Sequence, residues 1–257
     1  GGKVRILTDQ GEIACAQTAT QQQVAQMAEA LCEHALYARA EEQRQGFVTL
    51  RGGHRMGLCG RVTCERDGLV LREIGSLCLR IAHEVKGCGA DTARMLRGGG
   101  ALIAGPPGSG KTTLLRDIVR ILSDEGTAVG LCDERGEIAA CVEGVPQLDV
   151  GARTHVLDGC GKASGLRWLL RAMCPGLLAM DELYGSDECL AVREAAACGV
   201  PVLTTLHAAT GREVCLRTGI EDLLAEGIFE QVIFVRERRV TCVLPAAEVL
   251  KQGCCGQ

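Results

Sequence analysis

Residues 105–113 read GPPGSGKTT, directly after the apolar run ALIAG (residues 101–105) and directly before a run through Leu114, Leu115, Ile118, Val119 and Leu122. Three glycines and two prolines in nine residues cannot build a core, so this segment must be a turn between two buried elements. The run before it has strand character, and the apolar spacing after it is helical. The stretch from Gly105 to Thr112 fits G-x-x-x-x-G-K-[ST], and that strand–loop–helix context is the one in which the pattern has chemical meaning. Glycines let backbone N–H groups turn inward around a phosphate without a Cβ in the way. The following helix points its positive end at the same anion. Residues Gly105, Pro106, Pro107, Gly108, Ser109, Gly110, Lys111, Thr112 and Thr113 are thus expected to hold a nucleotide triphosphate. Lys111 would reach the β- and γ-phosphates, and the Thr112 hydroxyl would ligate Mg²⁺.

The chain beyond this loop repeats the same alternation. TAVGLCDE reads as a strand, RWLLRAM as a helix, GLLAMDE as a strand, LAVREAAACG as a helix and VPVLTTLHA as a strand. Alternation of this kind predicts a parallel sheet covered on both faces. IFEQVIFVRERRVTCVLP reads as a hairpin added at the sheet edge. GLLAMDE closes an apolar strand with two carboxylates, and we expect Asp181 to hold Mg²⁺ and Glu182 to orient and deprotonate a water. The ends of two other strands bring Asp133, Glu134 and Glu137, and Thr205 and His207, toward the same edge, where ligands of open α/β sheets gather.

Upstream of Gly98-Gly99-Gly100 the pattern differs. Residues 20–44 have helical spacing, with Thr18 or Thr20 available as a cap. FVTL, GLCGRVTCE, LVLRE and SLCLRIA read as strands, with turn signals at Gly52-Gly53 and Asp67-Gly68, and a short helix is expected at about residues 91–97. The expected division is a small α+β domain over residues 1–88 and an α/β domain over residues 89–257. The chain opens without Met on strand, turn and strand, so further N-terminal elements are expected.

Composition narrows the function. A formal net charge of −4 disfavours general nucleic-acid or anionic-membrane binding. No apolar run approaches the ~18 residues of a bilayer span, and no signal-peptide pattern opens the chain, so a soluble protein is expected. The sixteen cysteines lack paired ligand spacing; Cys59 and Cys64 have no matching His or Cys pair. They are read as reduced thiols with no bound metal, and Cys254-Cys255 as a loose tail.

DERGEIAACVEGVPQLDVGARTHVLDGC, together with GPPGSGKTTLLRD and GGHRMGLCGRV, resembles the family of sporulation stage III protein AA, over nearly all of residues 3–243. That family belongs to the wider secretion and pilus ATPases, so the resemblance implies a RecA-like P-loop core with a smaller N-terminal α+β domain. It implies an ATPase using ATP and Mg²⁺ in the mother cell of an endospore former, cytoplasmic and peripheral at the membrane around the forespore. The implied partners are membrane components of a channel-like sporulation complex, together with copies of the chain itself in a hexameric ring with nucleotide between subunits. By position, Asp133-Glu134 match the acidic box, Asp181-Glu182 the Walker B pair and His207 the His-box histidine. The sequence departs from the family at Leu183-Tyr184, where Ile-Gly is usual.

In such rings an arginine from a neighbouring subunit completes the site. Arg55, Arg61 and Arg80 in the first domain and Arg135 and Arg153 in the second are candidates. A different class, a nucleotide-dependent module on single-stranded nucleic acid, conflicts with the 2% aromatic content, because stacking platforms need aromatic side chains. No nucleic-acid partner is therefore expected.

Overall fold

The structure, a computed structural model, describes residues 2–8, 10–33, 40–44, 46–65, 68–96 and 99–254. It divides into two compact units, residues 1–83 and 84–257. Residues 84–88, which the sequence reading gave to the first domain, fall in the second unit. There the Glu84 carboxylate accepts the Asp149 N–H at 2.5 Å and Lys86 Nζ donates to Asp149 Oδ2 at 2.6 Å.

In the first unit, β1 (Gly2–Thr8) and β2 (Gly11–Ala19) form an antiparallel pair. Helix α1 (Gln21–Leu31) starts at a capping box: Thr20 Oγ1 accepts the Gln23 N–H, and Gln23 Oε1 accepts the Thr20 N–H. The single helix expected to reach residue 44 instead ends at Leu31, because Glu33 takes a left-handed conformation with φ 52°. A second helix, α2 (Ala40–Arg44), follows, and residues 34–39 between the two lie outside the described residues. Strands β3 (Phe47–Thr49), β4 (Arg55–Glu65) and β5 (Gly68–Arg80) form an antiparallel meander. The runs LVLRE and SLCLRIA, read as two strands, are mostly one strand broken only by bulges in register. One of these lies beside Gly60, where an added Cβ would fall 1.8 Å from the Glu73 carbonyl oxygen. Ala28, Cys32, Val48, Leu50, Met56 and Leu58 make this unit's core.

The second unit begins with α3 (Ala90–Leu96) and β6 (Ala101–Gly105), and continues through α4 (Lys111–Asp124), β7 (Val129–Asp133) and β8 (Thr154–Asp158). Then come α5 (Lys162–Met173), β9 (Leu177–Met180), α6 (Ser186–Ala197) and β10 (Val202–His207). Two short helices, α7 (Gly211–Cys215) and α8 (Ile220–Ala225), precede β11 (Gln231–Arg236), β12 (Arg239–Pro245) and α9 (Ala246–Cys254). The seven strands run in the order β12-β11-β6-β10-β9-β7-β8, all parallel except the edge strand β12. This is the α/β sheet expected from the alternation. Alternate residues of each strand feed opposite faces: Leu102 and Ala104 pack on one side, Ala101 and Ile103 on the other.

The opposite edge strand, β8, falls within THVLD, a stretch not read as a strand. Helix α9 takes Cys254 out of the expected tail, and Cys255 lies outside the described residues. Among the described residues no helix is long and apolar enough to cross a membrane.

Candidate nucleotide site

Parallel register explains why residues far apart in sequence meet. Gly105 at the end of β6 pairs with His207 at the end of β10, and Cys132 of β7 pairs with Met180 of β9. The residues that follow these pairs, including Asp133-Glu134 and Asp181-Glu182, leave the sheet on one edge, with the glycine-rich loop beside them.

Helix α4 begins at Gly110, whose φ of 97° places it in the left-handed region, and no side chain caps the helix. Its first-turn N–H groups are left to face an anion. Gly108, with φ 71°, has open space where a Cβ would be. A phosphate fits this cradle. The loop is braced from the edge hairpin, whose turn residue Arg238 donates its backbone N–H to the Ser109 carbonyl at 2.9 Å. Lys111 Nζ lies 3.0 Å from both the Pro106 carbonyl oxygen and His207 Nδ1. Burial pushes the Lys111 ammonium below its ordinary pKa, while Asp181 and Glu182 pull it the other way.

Thr112 Oγ1 donates to Asp181 Oδ2 at 2.8 Å, so the two expected Mg²⁺ ligands sit side by side. The Thr205 hydroxyl donates to Asp181 Oδ1 at 2.5 Å and accepts the Glu182 N–H at 2.9 Å. Thr112 and Asp181 offer a hydroxyl and a carboxylate, hard oxygen donors suited to Mg²⁺. An ammonium only donates, so in its contact with Lys111 the His207 Nδ1 is the acceptor, which leaves Nε2 on the other side of the ring. That nitrogen faces Glu182 Oε1 at 3.5 Å, and Arg135 Nη1 lies 3.7 Å from Glu182 Oε2.

Glu182 has φ 48°, a left-handed conformation unfavourable for a side chain. Its neighbours hold it there from both sides. Besides the Thr205 bond to its N–H, the next amide, Leu183 N–H, donates to the Thr205 carbonyl at 2.8 Å, and Leu183 is buried. The Glu182 carbonyl accepts from Lys162 Nζ at 2.5 Å. The Leu183-Tyr184 departure from the family pattern is accommodated: Leu183 fills a core position, while Tyr184 projects outward and its N–H donates to Glu188.

Asp133, expected to face a nucleotide, has its carboxylate bonded to its own loop. It is 2% exposed, and its carboxylate accepts the backbone N–H groups of Glu137, Ile138, Ala139 and Ala140. The acid therefore anchors its own loop. Arg116 of α4 fastens the same loop by donating to the Glu137 and Ile138 carbonyls. Glu134 instead looks toward Lys162, with Oε2 at 3.7 Å from Nζ. Asp133 also lines a pocket here, together with Glu134, Arg135, Glu137, Lys162, Asp181 and Glu182. The sequence reading missed Lys162 and its partner Glu188, because neither belongs to a recognisable local pattern.

Of the two arginine candidates in this unit, Arg135 lies beside Glu182. Arg153 is exposed, Arg55 stacks on Phe47 at 4.0 Å, Arg61 sits 3.7 Å from Glu73, and Arg80 lies exposed on β5 opposite Arg55. Fourteen described cysteines are free, and the described residues hold no cluster of three potential metal ligands.

Sheet order, loop and acid pair define a P-loop core of the RecA-like type. A structural likeness agrees: the pilus retraction motor PilT with bound ADP superposes with TM-score 0.66 at 16% identity, over 98% of this chain and 80% of that one. The ATPase DotB of Legionella pneumophila gives TM-score 0.59 at 17% identity, over 97% and 78%. The chain belongs to the family described as sporulation stage III, protein AA, whose model matches residues 2–243. Stage III sporulation protein AA of Bacillus subtilis (strain 168) is 38% identical over 213 residues, covering 79% of this chain and 69% of that protein. A putative type II secretion system protein E of Escherichia coli (strain K12) is 31% identical over 144 residues, 55% of this chain and 28% of that protein.

Proposed function

We propose that this chain is a Mg²⁺-dependent ATPase, the motor subunit of a sporulation complex at the membrane around the forespore, working in a hexameric ring. The observation that carries the reading is the Thr112–Asp181–Thr205–Glu182 chain of hydrogen bonds at the mouth of the phosphate loop. Family membership and the likeness to secretion and pilus ATPases support the setting.

In this reading the α4 N–H groups and Lys111 bind the β- and γ-phosphates. Thr112 and Asp181 would hold Mg²⁺, which supplies charge neutralisation on the phosphates. Glu182 accepts the proton of the attacking water, and Thr205 fixes the backbone that carries it. His207 links Lys111 to Glu182, so occupancy of the γ-phosphate position is felt at the base. Arg135, whose Nη1 lies 3.7 Å from Glu182 Oε2, would face the charge that develops on the transferred group.

The test is nucleotide affinity and turnover for the parent, Lys111→Ala and Glu182→Gln, each across a wide range of protein concentration. Lys111→Ala is expected to lose tight Mg-ATP binding. Glu182→Gln should keep binding while turnover falls on the order of 10²–10⁴-fold, as for loss of a positioned base. A ring predicts specific activity that rises with protein concentration. Parent-rate turnover by Glu182→Gln would refute its assignment, and concentration-independent activity from a sedimenting monomer with ATP present would refute the ring.

A further inference from the structure

We propose that Lys162 is a positioning residue for Glu182, holding the base in its left-handed turn; this rests on the ATPase reading above. Lys162 is the first residue of α5 and is 9% exposed, an unusual place for a long cationic side chain. An ammonium has three donors and no acceptor. Here Nζ faces the Glu182 carbonyl oxygen at 2.5 Å, Glu188 Oε1 at 3.2 Å and Glu134 Oε2 at 3.7 Å. Lys162 thus lines the pocket with its ammonium hydrogen-bonded to a backbone carbonyl and ion-paired to two acids.

What it grips is the backbone of a residue that would not choose its conformation. Glu182 pays for a φ of 48°; Thr205 holds its N–H and, through the Leu183 N–H, one end of the next peptide, but does not bond the Glu182 carbonyl oxygen. Lys162 secures the carbonyl side. Glu134 and Glu188 supply the negative charge that lets a cation stay buried there, and they fix where Nζ sits. The acid after β7 and an acid of α6 thus converge on the ammonium of the first residue of α5, which in turn holds the Glu182 carbonyl. That grip sets the direction in which the Glu182 carboxylate leaves the chain. A displacement of about 1 Å at such a group can cost about 10²-fold in rate.

Lys162→Met removes the donors and the charge while keeping most of the length. Steady-state turnover and affinity for a fluorescent ADP analogue are measured alongside Glu182→Gln, with backbone hydrogen exchange of residues 181–185 in the nucleotide-free protein. The expected result is kcat lower by about 10–100-fold, with KM and analogue affinity within about threefold of the parent, and faster exchange confined to that peptide. Lys162→Gln, which restores one donor without charge, is expected to recover part of the rate, and it takes the place of Lys162→Met if that variant melts out. A folded variant with parent kcat, or with affinity lost in step with kcat, or with unchanged exchange at residues 181–185, overturns the proposal. The two readings fail differently: parent-rate turnover by Glu182→Gln removes the base itself, whereas an inactive Glu182→Gln beside a fully active Lys162→Met removes only the role of Lys162.

Discussion

Replacing Asp133 by alanine separates two roles that an acid at a strand end can have, ligand of the nucleotide or anchor of its own loop. The carboxylate accepts the N–H groups of Glu137 at 2.9 Å, Ile138 at 3.1 Å, Ala139 at 2.8 Å and Ala140 at 3.3 Å. Ile138 and Ala139 are fully buried and Ala140 is 2% exposed, so three of these donors would lose their partner with no ready access to water. A hydrogen bond to a charged group contributes about 1.5–3 kcal/mol, and a donor stranded in the core costs its full desolvation. The bonds share one carboxylate and do not add fully, which puts the loss at roughly 3–6 kcal/mol. For a unit of this size each kcal/mol moves Tm by about 2–4 °C, so Asp133→Ala should melt on the order of 10 °C or more below the parent. Asp133→Asn keeps the shape with one acceptor oxygen and no charge, and should fall between. Calorimetric melting of both variants, with ADP-analogue affinity measured well below the melt, makes the comparison. The anchoring role is refuted if Asp133→Ala melts with the parent while losing nucleotide affinity.

Two further outcomes follow from ionisation. Because burial lowers the Lys111 pKa below its ordinary 10.5 while a bound phosphate raises it, binding takes up protons; affinity should weaken as pH rises through the lowered value, and Lys111→Arg should abolish that alkaline limb in a fluorescent-nucleotide titration. An affinity flat to pH 10.5 in the parent would contradict it. At pH 8 a colorimetric thiol reagent should modify exposed Cys59, Cys64, Cys78, Cys174, Cys198 and Cys242 rapidly, but Cys132, pushed far up by burial, and Cys141, pushed up to about 12, only after denaturation.

What could be read from the sequence was what short windows carry. The glycine-rich loop, the acid pair after an apolar strand and the strand–helix alternation each declare themselves within about ten residues, because backbone period and phosphate chemistry are local. The edge strand β8 did not declare itself: Thr154–Asp158 is half-exposed, its five residues run polar, polar, apolar, apolar, polar with no period of two, and it pairs along its length with β7. The fate of Asp133 was hidden for a related reason. Its four donors lie four to seven residues downstream in an irregular loop, and no pattern of residue types announces a carboxylate turning back on its own chain.

The connections that make the site one object are long-range in the same sense. The phosphate loop touches the edge hairpin at Ser109, the β9 acid at Thr112 and the acidic loop through Arg116. Each of these ties leaves from a different part of the β6–α4 segment and ends on a different element. A group that pushes on Lys111 or Thr112 therefore pushes on a short, hydrogen-bonded lattice rather than on a free loop. Within that lattice His207 and Lys162 meet Glu182 from two directions, one at its carboxylate and one at its backbone carbonyl. Of the two, His207 is the one that also contacts Lys111, whereas Lys162 contacts Glu188 and Glu134. On the proposed reading of Glu182 as the base, sensing falls to its side chain and rigidity to its backbone, which is why the substitutions at positions 111 and 162 should act on different quantities, one on affinity and the other on turnover.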